Sequence, residues 1–179
     1  MATLGDVKKR VFALIEELNL DEKQYTDDPD YKAKINSIIN EVNIELNSIT
    51  KKAVKKEMEV IEGQEIRLDE ELDRFFLLNK ITGVMYERID RFVKFLKDGT
   101  ATIYYYQYPE QITDETEDNY KMDADTQTIE CLIFGVASDI LKSDVSSNYG
   151  TVYAQRFAEL KSELDNRLGQ GTFYIDGGI

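Results

Sequence analysis

The stretch Phe92-Val93-Lys94-Phe95-Leu96-Lys97-Asp98-Gly99-Thr100-Ala101-Thr102-Ile103-Tyr104-Tyr105-Tyr106-Gln107-Tyr108-Pro109 decides how the chain divides. Its second arm is β-branched and aromatic, a composition suited to a pleated, half-buried surface. Asp98-Gly99 suits a tight turn that needs positive φ, so Phe92–Leu96 and Thr100–Tyr108 read as a β-hairpin. Pro109 ends the ladder because it has no N–H to donate. Neighbouring strand residues point to opposite faces. Tyr104, Tyr106 and Tyr108 therefore share one face, and Tyr105 takes the other.

Upstream, Met58, Val60, Ile66 and Leu68 alternate with Glu57, Glu59, Glu65 and Arg67 around Gly63. This predicts a second short hairpin with one apolar face. Asp69–Asp73 reads as an acidic turn. Phe75–Ile89 is apolar, is interrupted by Gly83, and reads as one or two strands.

Helices flank this β region. Val7, Val11, Leu14, Ile15 and Leu18 recur at helical spacing over residues 4–19. Thr3 can cap that helix, with Asp6 in its first turn. Asp28-Pro29 starts a second helix, a capping residue followed by proline at the first helical position. Its stripe is Tyr31, Ile35, Ile38, Ile39, Val42, Leu46 and Ile49, and the two helices are expected to pair as an antiparallel hairpin. Asn36, Asn40, Asn43 and Asn47 are mediocre helix formers within it, outweighed by the packing of the stripe. After a polar, acidic connector at 110–124, Asp125 or Thr126 opens a third helix carrying Ile129, Leu132, Ile133, Val136, Ile140 and Leu141. Cys131 beside that stripe reads as a small buried hydrophobe. Residues 143–149 read as a turn. A fourth helix runs from about Thr151 to Leu168, and Gly169 supplies its stop.

The expected fold is therefore α+β: a mostly α-helical bundle with a small inserted antiparallel β unit and an extended C-terminal tail. The expected divisions are an N-terminal helix pair (1–53), the β unit (54–109), a second helix pair (110–168) and the tail (169–179).

The 179 residues carry 22 Lys+Arg against 35 Asp+Glu, a formal charge of −13, with no His, no Trp and one Cys. Without histidine there is no Ser-His-Asp triad, Cys-His pair or His-ligated zinc. One cysteine makes neither an internal disulfide nor a Cys₄ site. The hydrophobic share, 42%, is too high for a disordered acidic chain. Met-Ala-Thr-Leu-Gly-Asp lacks the basic and apolar regions of a signal peptide, and no run reaches the length of a membrane span. A soluble protein is expected, intracellular or particle-associated. Residues 1–60 hold 10 basic and 12 acidic side chains, 61–108 hold 7 and 9, and 109–179 hold 5 and 14. The acidity thus belongs mainly to the last third. That pattern serves solubility, and it also suits a surface that repels another polyanion.

Chemical motifs are few. Asp27, Asp28 and Asp30 flank Pro29 and fit helix capping. Glu70, Glu71 and Asp73 fit a solvated turn. Asp114, Glu115, Glu117, Asp118, Asp123 and Asp125 are dense, but the run lacks the glycine and terminal Glu of an EF-hand loop. Gly169-Gln170-Gly171 follows a helix rather than opening one, the wrong context for a phosphate cradle. Lys51, Lys52, Lys55 and Lys56 read as a solvated charge run. No catalytic residue, cofactor or metal is expected. The tyrosine cluster has no basic residue beside it in sequence, so core or protein interface is preferred to nucleobase stacking. Gly171, Thr172, Phe173, Tyr174 and Ile175 read as a glycine-flanked apolar arm suited to a partner's groove or sheet.

The order of these elements resembles a head–tail connector (adaptor) protein of tailed bacteriophages. The pieces that carry the likeness are the hairpin ending Gln64-Glu65-Ile66-Arg67-Leu68, the strand closing Tyr106-Gln107-Tyr108-Pro109 and Ile112-Thr113-Asp114. They continue with the helix Thr128–Leu141, then Tyr153–Leu168 and its glycine-rich tail. The resemblance implies a structural virion protein of the neck, made in the host bacterial cytoplasm and without enzymatic activity. It would form a homo-oligomeric ring, expected to be a dodecamer, between the portal protein and a tail-completion or tail-terminator protein. Gly171–Ile175 would dock on the portal, and Tyr104, Tyr106 and Tyr108 would form a possible subunit or tail-side interface. DNA would pass along a repulsive acidic wall without specific binding, and no membrane would be involved. The alternatives are another phage neck or tail-completion protein, a metal-dependent enzyme using acidic residues, and a cellular adaptor.

Overall fold

The computed structural model describes residues 1–15, 26, 28–143 and 148–169. In chain order they form α1 (Leu4–Leu14), α2 (Pro29–Thr50), β1 (Lys52–Val60), β2 (Glu65–Arg67) and the single turn α3 (Leu68–Glu71). Next come β3 (Phe75–Thr82), β4 (Tyr86–Ile89), β5 (Phe92–Phe95), β6 (Gly99–Gln107), α4 (Thr126–Ile140) and α5 (Tyr149–Gly169). Lys51–Glu110 makes one compact unit, and the chain on either side of it makes another.

The helical unit is organised around α4. Asp125 caps it, its carboxylate accepting from the Thr128 N–H at 2.8 Å. The helix is apolar almost all round, as a helix enclosed by others must be. Ile129, Cys131, Leu132, Ile133, Val136, Ala137 and Ile140 are all buried. α1, α2 and α5 each pack on it. Gly135 permits the closest approach, since a Cβ there would lie 2.7 Å from Val42 Cγ1 and 2.9 Å from Phe157 Cε2.

α1 opens with a reciprocal capping box. The Thr3 hydroxyl accepts from the Asp6 N–H, and the Asp6 carboxylate accepts from the Thr3 N–H. Two further amides of that first turn, Leu4 and Gly5, donate to the connector carbonyls of Tyr120 and Asp118. The connector is also tied to α2: Asn40 donates to the Ile112 carbonyl and accepts from its N–H, both at 2.8 Å. Asn40 is thus a poor helix former retained for a backbone-mimicking side chain. The helix pairing expected from sequence is corrected here. Among the described residues, α1 packs chiefly on α4 rather than on α2.

The β unit holds two three-stranded antiparallel sheets, ordered β1-β6-β3 and β2-β5-β4. Both expected hairpins are corrected. β1 pairs with β6 and β2 with β5, so neither β1–β2 nor β5–β6 is a hairpin. Lys52↔Gln107 and Glu65↔Lys94 belong to one register carried through both sheets. At the crossing, the Gly63 N–H donates to the Phe95 carbonyl and the Phe95 N–H to that of Gln64. Residues 52–67 and 92–107 are therefore one long antiparallel ribbon, bent in the middle. β3 and β4 follow it on the other side and bend at Gly83. The chain turns back through Asp90-Arg91, with Ile89 opposite Phe92. Val60, Ile66, Leu78, Val93, Phe95 and Ile103 from both sheets share one core with Leu68 of α3.

This architecture overturns the mostly helical bundle with a small β insert. The structure is α+β, 48% helix and 26% strand, and its β unit has two sheets and its own core. Part of the reason lies in Phe75–Ile89. Register shifts between Phe75 and Leu77, and between Leu78 and Lys80, break the period-2 pattern of β3. The segment Gly171–Ile175 of the expected tail lies outside the described residues.

Candidate functional site: an aromatic sheet face

Strand β6 places its side chains as its alternation dictates. Ala101, Ile103, Tyr105 and Gln107 are buried, whereas Thr102, Tyr104 and Tyr106 lie on the outward side and Tyr108 is exposed beyond the ladder. The inner row is anchored at Gln107, whose amide donates to the carbonyl and carboxylate of Asp73 at 3.1 Å. The Tyr108 N–H donates to the Arg74 carbonyl at 2.7 Å, which extends the chain direction past the strand end.

The outward tyrosines are not isolated aromatics. Tyr104 is flanked by Lys55 of β1 and Lys80 of β3, its register partners. The Lys80 ammonium lies 5.1 Å from the Tyr104 ring centroid, and that of Lys51 lies 5.9 Å from the Tyr106 ring, both within cation–π range. The Phe76 and Tyr108 rings are 4.9 Å apart, tilted by 58°. Tyr106 has Ala53 and the exposed Leu77 as cross-strand partners. Sequence reasoning saw no cations beside Tyr104–Tyr108 because Lys51, Lys55 and Lys80 arrive from other strands. Lys51 and Lys55 were signalled by the even spacing leading into β1, Lys80 was not because the shifts in β3 break its alternation, and the register could not be read without knowing which strand pairs with which.

A smaller surface feature occupies the other sheet. Asp69 accepts from Arg91 at 2.9 Å and lies in ion contact with Arg67 at 2.9 Å. The Arg91 hydrogen bond holds the Asp69 carboxyl below the usual carboxylate range. Arg67 also lies over the ring of Phe92, 6.0 Å from its centroid. This cluster fixes the short helix α3 to the β4–β5 turn, whose Ile89 and Phe92 are exposed.

Several of the acidic groups singled out in the sequence hold structure. Asp28 accepts from the Asp30 N–H, Glu71 pairs with Lys56 at 2.6 Å, Asp114 accepts from Asn36, and Asp118 pairs with Lys8 at 3.2 Å. Asp27 lies outside the described residues. Among the described residues, no three His, Cys, Asp or Glu side chains gather as a metal site. Burial pushes the Cys131 thiol up to about 12, which removes the thiolate needed for nucleophilic work. Among the described residues, no helix is long and apolar enough to cross a membrane. No protein-family model and no curated protein matches the chain.

Proposed function

We propose that the protein is a structural head–tail connector (adaptor) of a tailed bacteriophage, forming a ring between portal and tail in the virion neck. The order of elements carries this reading: two helices, a β unit closing on Tyr106-Gln107-Tyr108-Pro109, an acidic connector, then the helices α4 and α5. Two observations support it. Each unit has a separate apolar core, as suits a part that makes contacts on several sides. The charge is also divided: Lys51–Glu110 holds 11 basic and 12 acidic side chains, whereas the rest of the chain holds 11 and 23. In a ring, that excess forms a wall along which DNA slides without sticking. Gly171–Ile175 is the arm that engages the portal.

The test is mass measurement of the full chain alone and together with a candidate portal protein from the same source. A ring, or a stoichiometric portal complex, is expected. A strict monomer that never binds portal overturns the proposal. Truncation after Leu168 is expected to abolish portal binding while leaving the fold intact, and unchanged binding overturns the assignment of the arm.

A further inference from the structure

The outward face of the β1-β6-β3 sheet is chemically divided. One end carries Tyr104, Tyr106 and Tyr108 with Lys51 and Lys80; the other carries Glu57 and Glu59. Lys55 between them pairs with Glu57 at 3.1 Å. Among the described residues, Lys51 and Lys80 form no ion pair and lie over tyrosine rings instead. Exposed ammonium groups beside a row of amphipathic rings fit an anionic protein surface, since tyrosine is enriched where proteins meet.

The chain itself carries such a surface. Residues 111–125 hold six acidic side chains and one basic. Asp114 is engaged with Asn36, Asp118 with Lys8, and Asp125 with the α4 N-terminus. Glu115 and Glu117 are exposed and, among the described residues, form no ion pair.

We infer that the tyrosine–lysine face receives the acidic connector of a second copy of this chain, with Glu115 and Glu117 set against Lys51 and Lys80. The inference rests on the ring reading above and specifies its subunit contact. The two patches are different parts of one chain, so the contact is heterologous and generates a closed ring when the rotation closes. Nucleic acid fits this face less well. Glu57 and Glu59 share it, and a phosphate backbone needs many cations.

The test uses the full chain in two charge-reversed forms, Lys51→Glu/Lys80→Glu and Glu115→Lys/Glu117→Lys. All four positions are exposed, and circular dichroism checks that each form folds. Analytical ultracentrifugation at low salt is expected to show wild-type assembly, at least tenfold weaker assembly of either variant alone, and recovery when the two are mixed. Assembly of the wild type is expected to weaken as salt screens these exposed charges. Variants that assemble like the wild type overturn this contact and leave the ring reading standing, as do variants that stay apart on mixing. A wild type that never self-associates overturns both. Fluorescence anisotropy with a labelled oligothymidylate is expected to show no binding. Binding lost in Lys51→Glu/Lys80→Glu would instead give the face to single-stranded nucleic acid.

Discussion

Gly83 runs so close to Thr100 that a Cβ on Gly83 would lie 2.3 Å from the Thr100 carbonyl oxygen. Its φ is +92°, a region in which L side chains are strained. This contact lies where the outer strand bends from one sheet to the other. Gly83→Ala is expected to destabilise the protein by roughly 3 kcal/mol, through left-handed strain of ~1–2 kcal/mol and a backbone clash of ~1–3 kcal/mol. Gly63 has φ +82° but open space around it, so Gly63→Ala is expected to cost only about 1–2 kcal/mol. Urea titrations of both variants measure the difference, and equal costs would contradict the tight crossing at Gly83.

Gly135 poses the opposite problem, because alanine is the better helix former by about 1 kcal/mol. A methyl there meets Val42, which is 2% exposed and has little room to yield. Overpacking of ~1–3 kcal/mol outweighs the helical gain. Gly135→Ala is expected to be net destabilising by about 1 kcal/mol, and Gly135→Leu by more. A stabilised Gly135→Ala in thermal melts would mean that α4 stands further from α2 and α5 than described.

Adjacent tyrosines are expected to differ sharply. Tyr105 lies in the β core at 5% exposure, and truncation of such a ring costs ~3–5 kcal/mol. Tyr104 contributes mainly its contact with Lys80, worth ~0.5–1 kcal/mol at an exposed site. Chemical denaturation of Tyr105→Ala and Tyr104→Ala should therefore separate the two by at least ~2 kcal/mol.

Three carboxylates give the protein a defined acid limb. Asp6 is lowered by its hydrogen bonds to Thr3, and Asp69 by that from Arg91. For Asp125, burial pushes the carboxyl up, but the Thr128 N–H and the Arg167 guanidinium outweigh it and hold it low. A lowered folded value means that the stabilisation is complete above the ordinary carboxylate pKa, near ~3.9. It is lost as pH falls through the folded value. Asp125→Asn keeps a good capping residue but removes the charge. Its stability is expected to fall less steeply below about pH 5 than that of the wild type. Parallel acid limbs would show that Asp125 does not contribute. Asp125→Ala, which removes the cap itself, is expected to cost about 1 kcal/mol at neutral pH.

Cys131 offers a reporter for the helical unit. Its thiol is buried beside α5 and titrates at about 12, so the native protein is expected to resist alkylation at pH 8. Modification should appear together with loss of helix in a urea series. Rapid labelling of the native protein would place Cys131 outside the core.

Local signals in the sequence were dependable, and pairings over distance were not. Asp28-Pro29, Asp125 and the Thr3/Asp6 pair mark helix starts because a cap is a contact between near neighbours. The shared face of Tyr104, Tyr106 and Tyr108 follows from strand geometry alone. Strand partners do not. Gly63 and Asp98-Gly99 have the residues of hairpin turns, and those same residues let a continuing ribbon change direction between sheets. The weight of the β unit was hidden by the bulges in β3, which scramble its alternation. The lysines of the candidate face were visible as residues, but their neighbours depended on that missing register.

The ribbon begins and ends side by side, since Lys52 and Gln107 are register partners, which sets their Cα atoms about 5 Å apart. The chain therefore departs from α2 and returns to the connector through a single narrow doorway. Everything beyond that doorway behaves as a cassette. Over generations its strands can lengthen, change surface chemistry or be exchanged wholesale while the path of the helices is left undisturbed. Selection can retune what the β unit touches without reopening the question of how the helical unit folds.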